Sequence, residues 1–149
     1  MKNFIVLIIF LLSTNIFAKE IVTVYTYHKI PPYIVNQDKG ETYELLAKLN
    51  KLSDDYEFNL KIVPKSRLDY ILKPWIKNSC EKYVKRCFPN WIVLWVKPTD
   101  FKKNVRDNFF FKKIDNNKQN RTNKANKEYK QYIITNKENE KLFDLINSL

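Results

Sequence analysis

One glycine, one histidine and two cysteines in 149 residues leave little material for several kinds of chemistry. The lone histidine, His28, excludes any mechanism that needs two imidazoles and any zinc site built on several histidines. A zinc site on Cys80 and Cys87 would need two further ligands, which the neighbouring sequence does not supply. The longest N-terminal apolar run, Phe4 to Leu12, is far short of the ~20 residues a membrane span requires. It lies behind Lys2 and ahead of Ser13-Thr14-Asn15 and Ala18, the order of charged, hydrophobic and cleavable regions in a secretory signal. The sequence therefore predicts a cleaved signal over residues 1–18, although Ile16 is bulky for a position two before the cut. No cysteine follows the run, so lipid attachment there is not indicated, and there is no internal repeat.

Acidic residues are also scarce relative to basic ones. The formal net charge is +11, and removal of the signal takes away Lys2 alone, leaving +10. Such an excess can mark a nucleic-acid or anionic-membrane partner. Here the charge is mostly lysine scattered among asparagines rather than an arginine-rich stripe, which fits a soluble exported protein better than a nucleic-acid binder. With 44% hydrophobic and 15% aromatic residues the chain can build one modest core.

The chain is organised around Val22-Thr23-Val24-Tyr25-Thr26-Tyr27, whose β-branched and aromatic residues suit a central strand. Pro31-Pro32 must lie beyond its end, because proline cannot donate to a ladder. Gly40 precedes Glu41 to Leu52, whose apolar residues recur at helical spacing: Tyr43, Leu46 and Ala47 share a face that Leu45, Leu49 and Leu52 widen, and Thr42 is placed to cap it. Tyr56, Phe58, Leu60 and Ile62 alternate with polar residues as a strand does. Ser66 and Asp69 have capping-box spacing at the start of a second helix carrying Leu68, Ile71, Leu72 and Trp75. After a loop from Ile76 to Asn90, Trp91 to Val96 is apolar throughout, as in a strand buried on both faces. Strand, helix, strand, helix, strand predicts an α/β domain: a parallel sheet with flanking helices and right-handed crossovers.

Phe109-Phe110-Phe111 offers one more short strand. Lys112 to Lys130 has seven basic residues, two acidic ones and five asparagines, too little apolar surface to offset the entropy of ordering. The expected organisation is thus a signal over 1–18, an α/β lobe over 19–111 and a Lys/Asn-rich tail over 112–149, disordered or loosely helical, with Leu142, Leu145 and Ile146 forming an amphipathic turn or two.

Tyr27, His28 and Tyr33 fall where the first strand opens at its carboxyl end, the place where ligands bind in open α/β sheets. Arg67, just past a strand at a helix start, has a fork that suits a carboxylate. Trp75 and Trp95 read as core. Cys80 and Cys87, with six residues between them in an exported chain, are expected to form a disulfide worth roughly 2.5 kcal/mol.

Taken in order, the signal, Thr26-Tyr27-His28 with Pro31-Pro32-Tyr33, Gly40 with Tyr43-Glu44-Leu45, Val63-Pro64, Ser66-Arg67-Leu68 and Leu94-Trp95-Val96 with Pro98 resemble the bacterial periplasmic solute-binding proteins of the amino-acid type, the binding components of ABC transporters with the type II periplasmic-binding fold. The resemblance spans about residues 20–101 and covers one lobe. It implies two lobes that close on a small solute, with the first lobe's strand ends as one wall, and here Lys/Asn-rich sequence stands where the hinge crossing and second lobe should follow. Thr99-Asp100-Phe101-Lys102 carries lysine where the family's carboxylate-binding arginine is expected. The expectation is a periplasmic, monomeric, non-catalytic solute-binding lobe, either a truncated remnant or a stand-alone module. Tyr27, His28, Tyr33 and Arg67 would face a small polar solute, amino-acid-like or otherwise. A membrane permease would be its partner, and no cofactor or metal is implied. A basic secreted protein holding an anionic partner through its Lys-rich tail is the second reading.

Overall fold

The computed structural model of the chain describes residues 18–76, 90–101, 103–114, 131–137 and 139–149. The expected signal (save Ala18) and the Cys80–Cys87 disulfide lie outside these residues. Strands β1 (Glu20–Thr26), β2 (Tyr56–Ile62) and β3 (Trp91–Val96) alternate with helices α1 (Glu41–Leu52) and α2 (Lys65–Ile76) as the hydrophobic periods predict. A 3-10 turn at Pro98–Asp100 and the single-turn helix α3 (Lys103–Arg106) lead into β4 (Phe109–Ile114). Beyond residues 115–130 come β5 (Gln131–Asn136) and α4 (Glu140–Asn147).

The five strands form one sheet in the order β2-β1-β3-β5-β4. β1 is parallel to both β2 and β3, which confirms the three-strand parallel unit. The sheet as a whole is mixed, however, because β5 inserts antiparallel between β3 and β4. The expectation of a parallel sheet therefore holds only for its first half. The expectation of a tail over 112–149 is corrected at the same point. β4 continues to Ile114, and Tyr132-Ile133-Ile134-Thr135 is a buried inner strand, with Ile133 and Ile134 at 1% and 0% exposure. This short β-branched run stands just beyond the Lys/Asn-rich residues 112–130, between Lys130-Gln131 and Asn136-Lys137, and is too brief to stand out from them.

Alternation along the strands splits the core into two layers. Val22, Val24, Phe58, Ile92, Leu94 and Ile133 pack on one face with Leu45 and Leu49 of α1 and Leu142 and Ile146 of α4. Trp91, Val93, Val96, Phe109 and Ile134 pack on the other with Leu68, Leu72 and Trp75 of α2. The architecture is helix, sheet, helix. Among the described residues no helix is long and apolar enough to cross a membrane.

Helix details differ from the sequence reading. The buried stripe of α1 is Thr42, Leu45 and Leu49, while Ala47 is exposed and Leu52 is 48% exposed. Gly40, not Thr42, is the N-cap of α1. α2 begins one residue before Ser66, with the Pro64 carbonyl accepting from the N–H groups of Arg67 and Leu68, and Asp69 pairs with Lys65 instead of closing a capping box.

β2 lies at the edge of the sheet, where unpaired backbone groups invite association. Asn50 of α1 covers that edge: its Oδ1 accepts from the Phe58 N–H at 2.9 Å and its Nδ2 donates to the Phe58 carbonyl at 3.2 Å, as a neighbouring strand's peptide would. Ser53 Oγ likewise accepts from the Tyr56 N–H.

Candidate functional site

β1 and β3 finish at the same rim, and β5, running the other way, begins there: Tyr132 stands opposite Val96, one residue after Gln131. Tyr27 and His28 emerge directly from β1. The loop that follows folds back on itself, with the Ile30 carbonyl accepting from the N–H groups of Tyr33 and Ile34, and the Lys39 carbonyl accepting from the Val35 N–H. It then docks on the N-terminus of α1, where the Glu41 and Thr42 N–H groups donate to the Pro32 and Tyr33 carbonyls, each at 3.0 Å. Gly40 permits this approach. Its φ is +125°, and a Cβ there would sit 2.4 Å from the Tyr33 carbonyl oxygen.

The result is a row of four rings along the rim. Tyr27 to His28 is 4.3 Å between ring centroids, His28 to Tyr33 is 4.6 Å, and Tyr33 to Trp95 is 5.2 Å. The first three are half-buried, and Trp95 lies beneath them at 2% exposure.

Trp95 holds the row together. The pairing of β3 with β5 slips between Val93 and Val96, so Leu94 and Trp95 both enter the α1 layer, and Trp95 takes φ +63°. That conformation costs a bulky residue about 1–3 kcal/mol and persists only where its surroundings hold it. Three contacts do so. The indole N–H donates to Thr42 Oγ1 at 2.8 Å, the carbonyl meets His28 Nε2 at 3.0 Å, and the ring packs on Tyr33. Bulges of this kind often re-aim a side chain beside a functional site.

Because the Trp95 carbonyl can only accept, Nε2 of His28 carries the proton and Nδ1 is the acceptor in the neutral ring. Burial pushes the His28 pKa down, Lys97 adds to this, and the Trp95 hydrogen bond and Asp100 oppose it. Burial pushes the Tyr27 hydroxyl well up, reinforced by Asp100, to which it donates at 3.2 Å. Tyr33 is raised by burial and by Glu41, and its hydroxyl accepts from Gln131 Nε2. The same Asp100 oxygen accepts from the Lys97 N–H at 3.0 Å.

No family model, curated protein or solved structure matches this chain. The site therefore rests on its own geometry.

Of the four positions singled out in the sequence, Tyr27, His28 and Tyr33 are brought together. Arg67 is not. It is exposed, with its guanidinium carbon 5.4 Å from the Tyr70 ring centroid. Helical geometry gives the reason. Leu68 and Leu72 face the core, and Lys65, three residues before Leu68, shares their side, whereas Arg67 and Tyr70 share another. Lys65 accordingly reaches the row, with its ammonium 5.8 Å from the Tyr27 ring centroid and 6.0 Å from that of Phe101.

Trp95, Thr42, Asp100, Gln131 and Lys65 were not legible as site residues. An all-apolar strand does not announce where its alternation will slip, and Gln131 stood inside the supposed tail. Pro98-Thr99-Asp100, immediately after β3, was the one available signal. Among the described residues no three His, Cys, Asp or Glu gather in a way that could hold a metal ion.

Proposed function

We propose that this chain carries one lobe of a solute-binding protein, exported to the periplasm and serving a transport system, that holds a small polar solute without transforming it. The observation that carries this reading is the row Tyr27-His28-Tyr33-Trp95, set at the carboxyl ends of parallel strands and supported by a strained bulge. Aromatic faces with a few fixed polar groups are the usual lining of a small-molecule site. The order of elements from β1 to β3 supports the likeness to one lobe of a type II periplasmic-binding protein. A second support is the pairing of Ile114 with Gln131: the chain leaves β4 and re-enters at β5 side by side on the same rim, where a second lobe would attach.

The test is calorimetric titration of the protein against amino acids, short peptides, sugars and small amines, repeated with Tyr33→Ala. A solute that binds the wild type and loses at least tenfold in affinity in the variant supports the reading. Silence across the panel, or binding indifferent to Tyr33, refutes it.

A further inference from the structure

We infer that the rim site takes an organic ammonium, its cation lying against the exposed parts of the Tyr27, His28 and Tyr33 rings with Asp100 beside it. This deepens the solute-binding reading and rests on it.

The argument begins with what the fold has removed. A carboxylate or phosphate needs donors, and three groups that would supply them are turned away from the row or bonded to other partners. Arg67 lies against Tyr70. The first-turn N–H groups of Glu41 and Thr42 in α1, at a helix end of the kind that receives anions, donate to the Pro32 and Tyr33 carbonyls. Lys65 is paired with Asp69.

What remains favours a cation. With Nε2 bonded to the Trp95 carbonyl, His28 presents Nδ1 as an acceptor. Asp100 takes the Tyr27 hydroxyl and the Lys97 N–H through one oxygen, Oδ2, and is exposed. Tyr27, His28 and Tyr33 pack on one another and are each half-buried, so part of each ring is open to solvent, and cations are attracted to aromatic faces within about 6 Å of the centroid. The molecule already contains an example, since the Lys65 ammonium lies over the Tyr27 and Phe101 rings. The charges that oppose a cation here are Lys97, which acts on His28, Lys65 itself and the net charge of the chain. The last is screened beyond about 8 Å at physiological ionic strength.

The experiment titrates the full chain with tetramethylammonium and with propylammonium, and separately with acetate and a neutral monosaccharide. Aromatic proton shifts report binding, and thermal melts confirm that each variant folds. Both ammonium ions are expected to bind. Asp100→Asn should weaken them roughly fivefold or more, Lys65→Met should tighten them by removing the internal competitor, and Arg67→Ala should leave them unchanged. Binding of acetate or the sugar at the Tyr33 and His28 signals without binding of either ammonium overturns the ligand class and leaves the solute-binding reading standing. Ammonium binding that Asp100→Asn does not weaken overturns the inference as well. If the row answers to none of these probes or to the wider panel, both readings fall.

Discussion

Replacing Thr42 by valine tests whether one buried hydrogen bond holds the aromatic row in place. Thr42 is fully buried and Trp95 nearly so, and the 2.8 Å bond between them ties α1 to the end of β3. Valine matches threonine in shape and closely in helix propensity, so the change removes the acceptor and little else. A neutral hydrogen bond contributes about 1 kcal/mol net, but a buried N–H left without a partner costs about 1–3 kcal/mol. Relaxation of Trp95 from φ +63° returns part of that. The expected net loss is about 2 kcal/mol, or a Tm lower by roughly 5–10 °C. Thr42→Ser keeps the hydroxyl and gives up only a buried methyl, a loss of about 1 kcal/mol. Urea unfolding followed by tryptophan fluorescence would measure both. The valine variant should also perturb the His28 ring signals, because the carbonyl that holds Nε2 belongs to the released residue. If Thr42→Val lies within about 0.5 kcal/mol of wild type and its His28 signals stay in place, the bond does not anchor the site and this account of the row is wrong.

Asn50→Ala uncovers both backbone groups of Phe58 on the edge of β2 and should cost about 1–2 kcal/mol. It should also produce concentration-dependent association visible by sedimentation, and a variant that stays monomeric at high concentration would argue against edge protection. Gly40→Ala forces a Cβ against the Tyr33 carbonyl oxygen at a φ of +125° and should lose about 3 kcal/mol with shifted Tyr33 ring signals, whereas an unperturbed melt would show that the loop yields easily. Because burial lowers the pKa of His28, the unfolded chain binds that proton more readily than the folded one. The stability this confers is present above the ordinary histidine value of 6.5 and declines as pH falls below it. Wild type should therefore lose stability relative to His28→Gln as the pH is taken from 7 to 5, and parallel stability curves for the two proteins would contradict the assignment.

The first half of the fold was legible because its signals are local. The alternation of Tyr56, Phe58, Leu60 and Ile62, the all-apolar run from Trp91 to Val96 and the helical spacing of Leu68, Leu72 and Trp75 each name an element without reference to the rest of the chain. β5 escaped because its four central residues are embedded in lysine and asparagine, and its place between β3 and β4 is set by pairing across the sequence, which periodicity does not encode. The site divides in the same way. Tyr27, His28 and Tyr33 follow from where β1 must stop, but Trp95 enters through a bulge, and Arg67 was placed by its position at the start of α2 without regard to its face: with Leu68 and Leu72 inward, Lys65 and not Arg67 is carried toward the row.

The register that sets Ile114 across from Gln131 has a bearing on evolution and on engineering. Adjacent strands stand about 4.8 Å apart, so the sheet itself fixes the two points between which residues 115–130 run. Once such ends are pinned, doubling the length of a flexible connection costs only about 0.6 kcal/mol. A longer flexible insert between β4 and β5 therefore adds little entropic cost to closing the sheet. Whatever is placed there begins and ends beside the aromatic row.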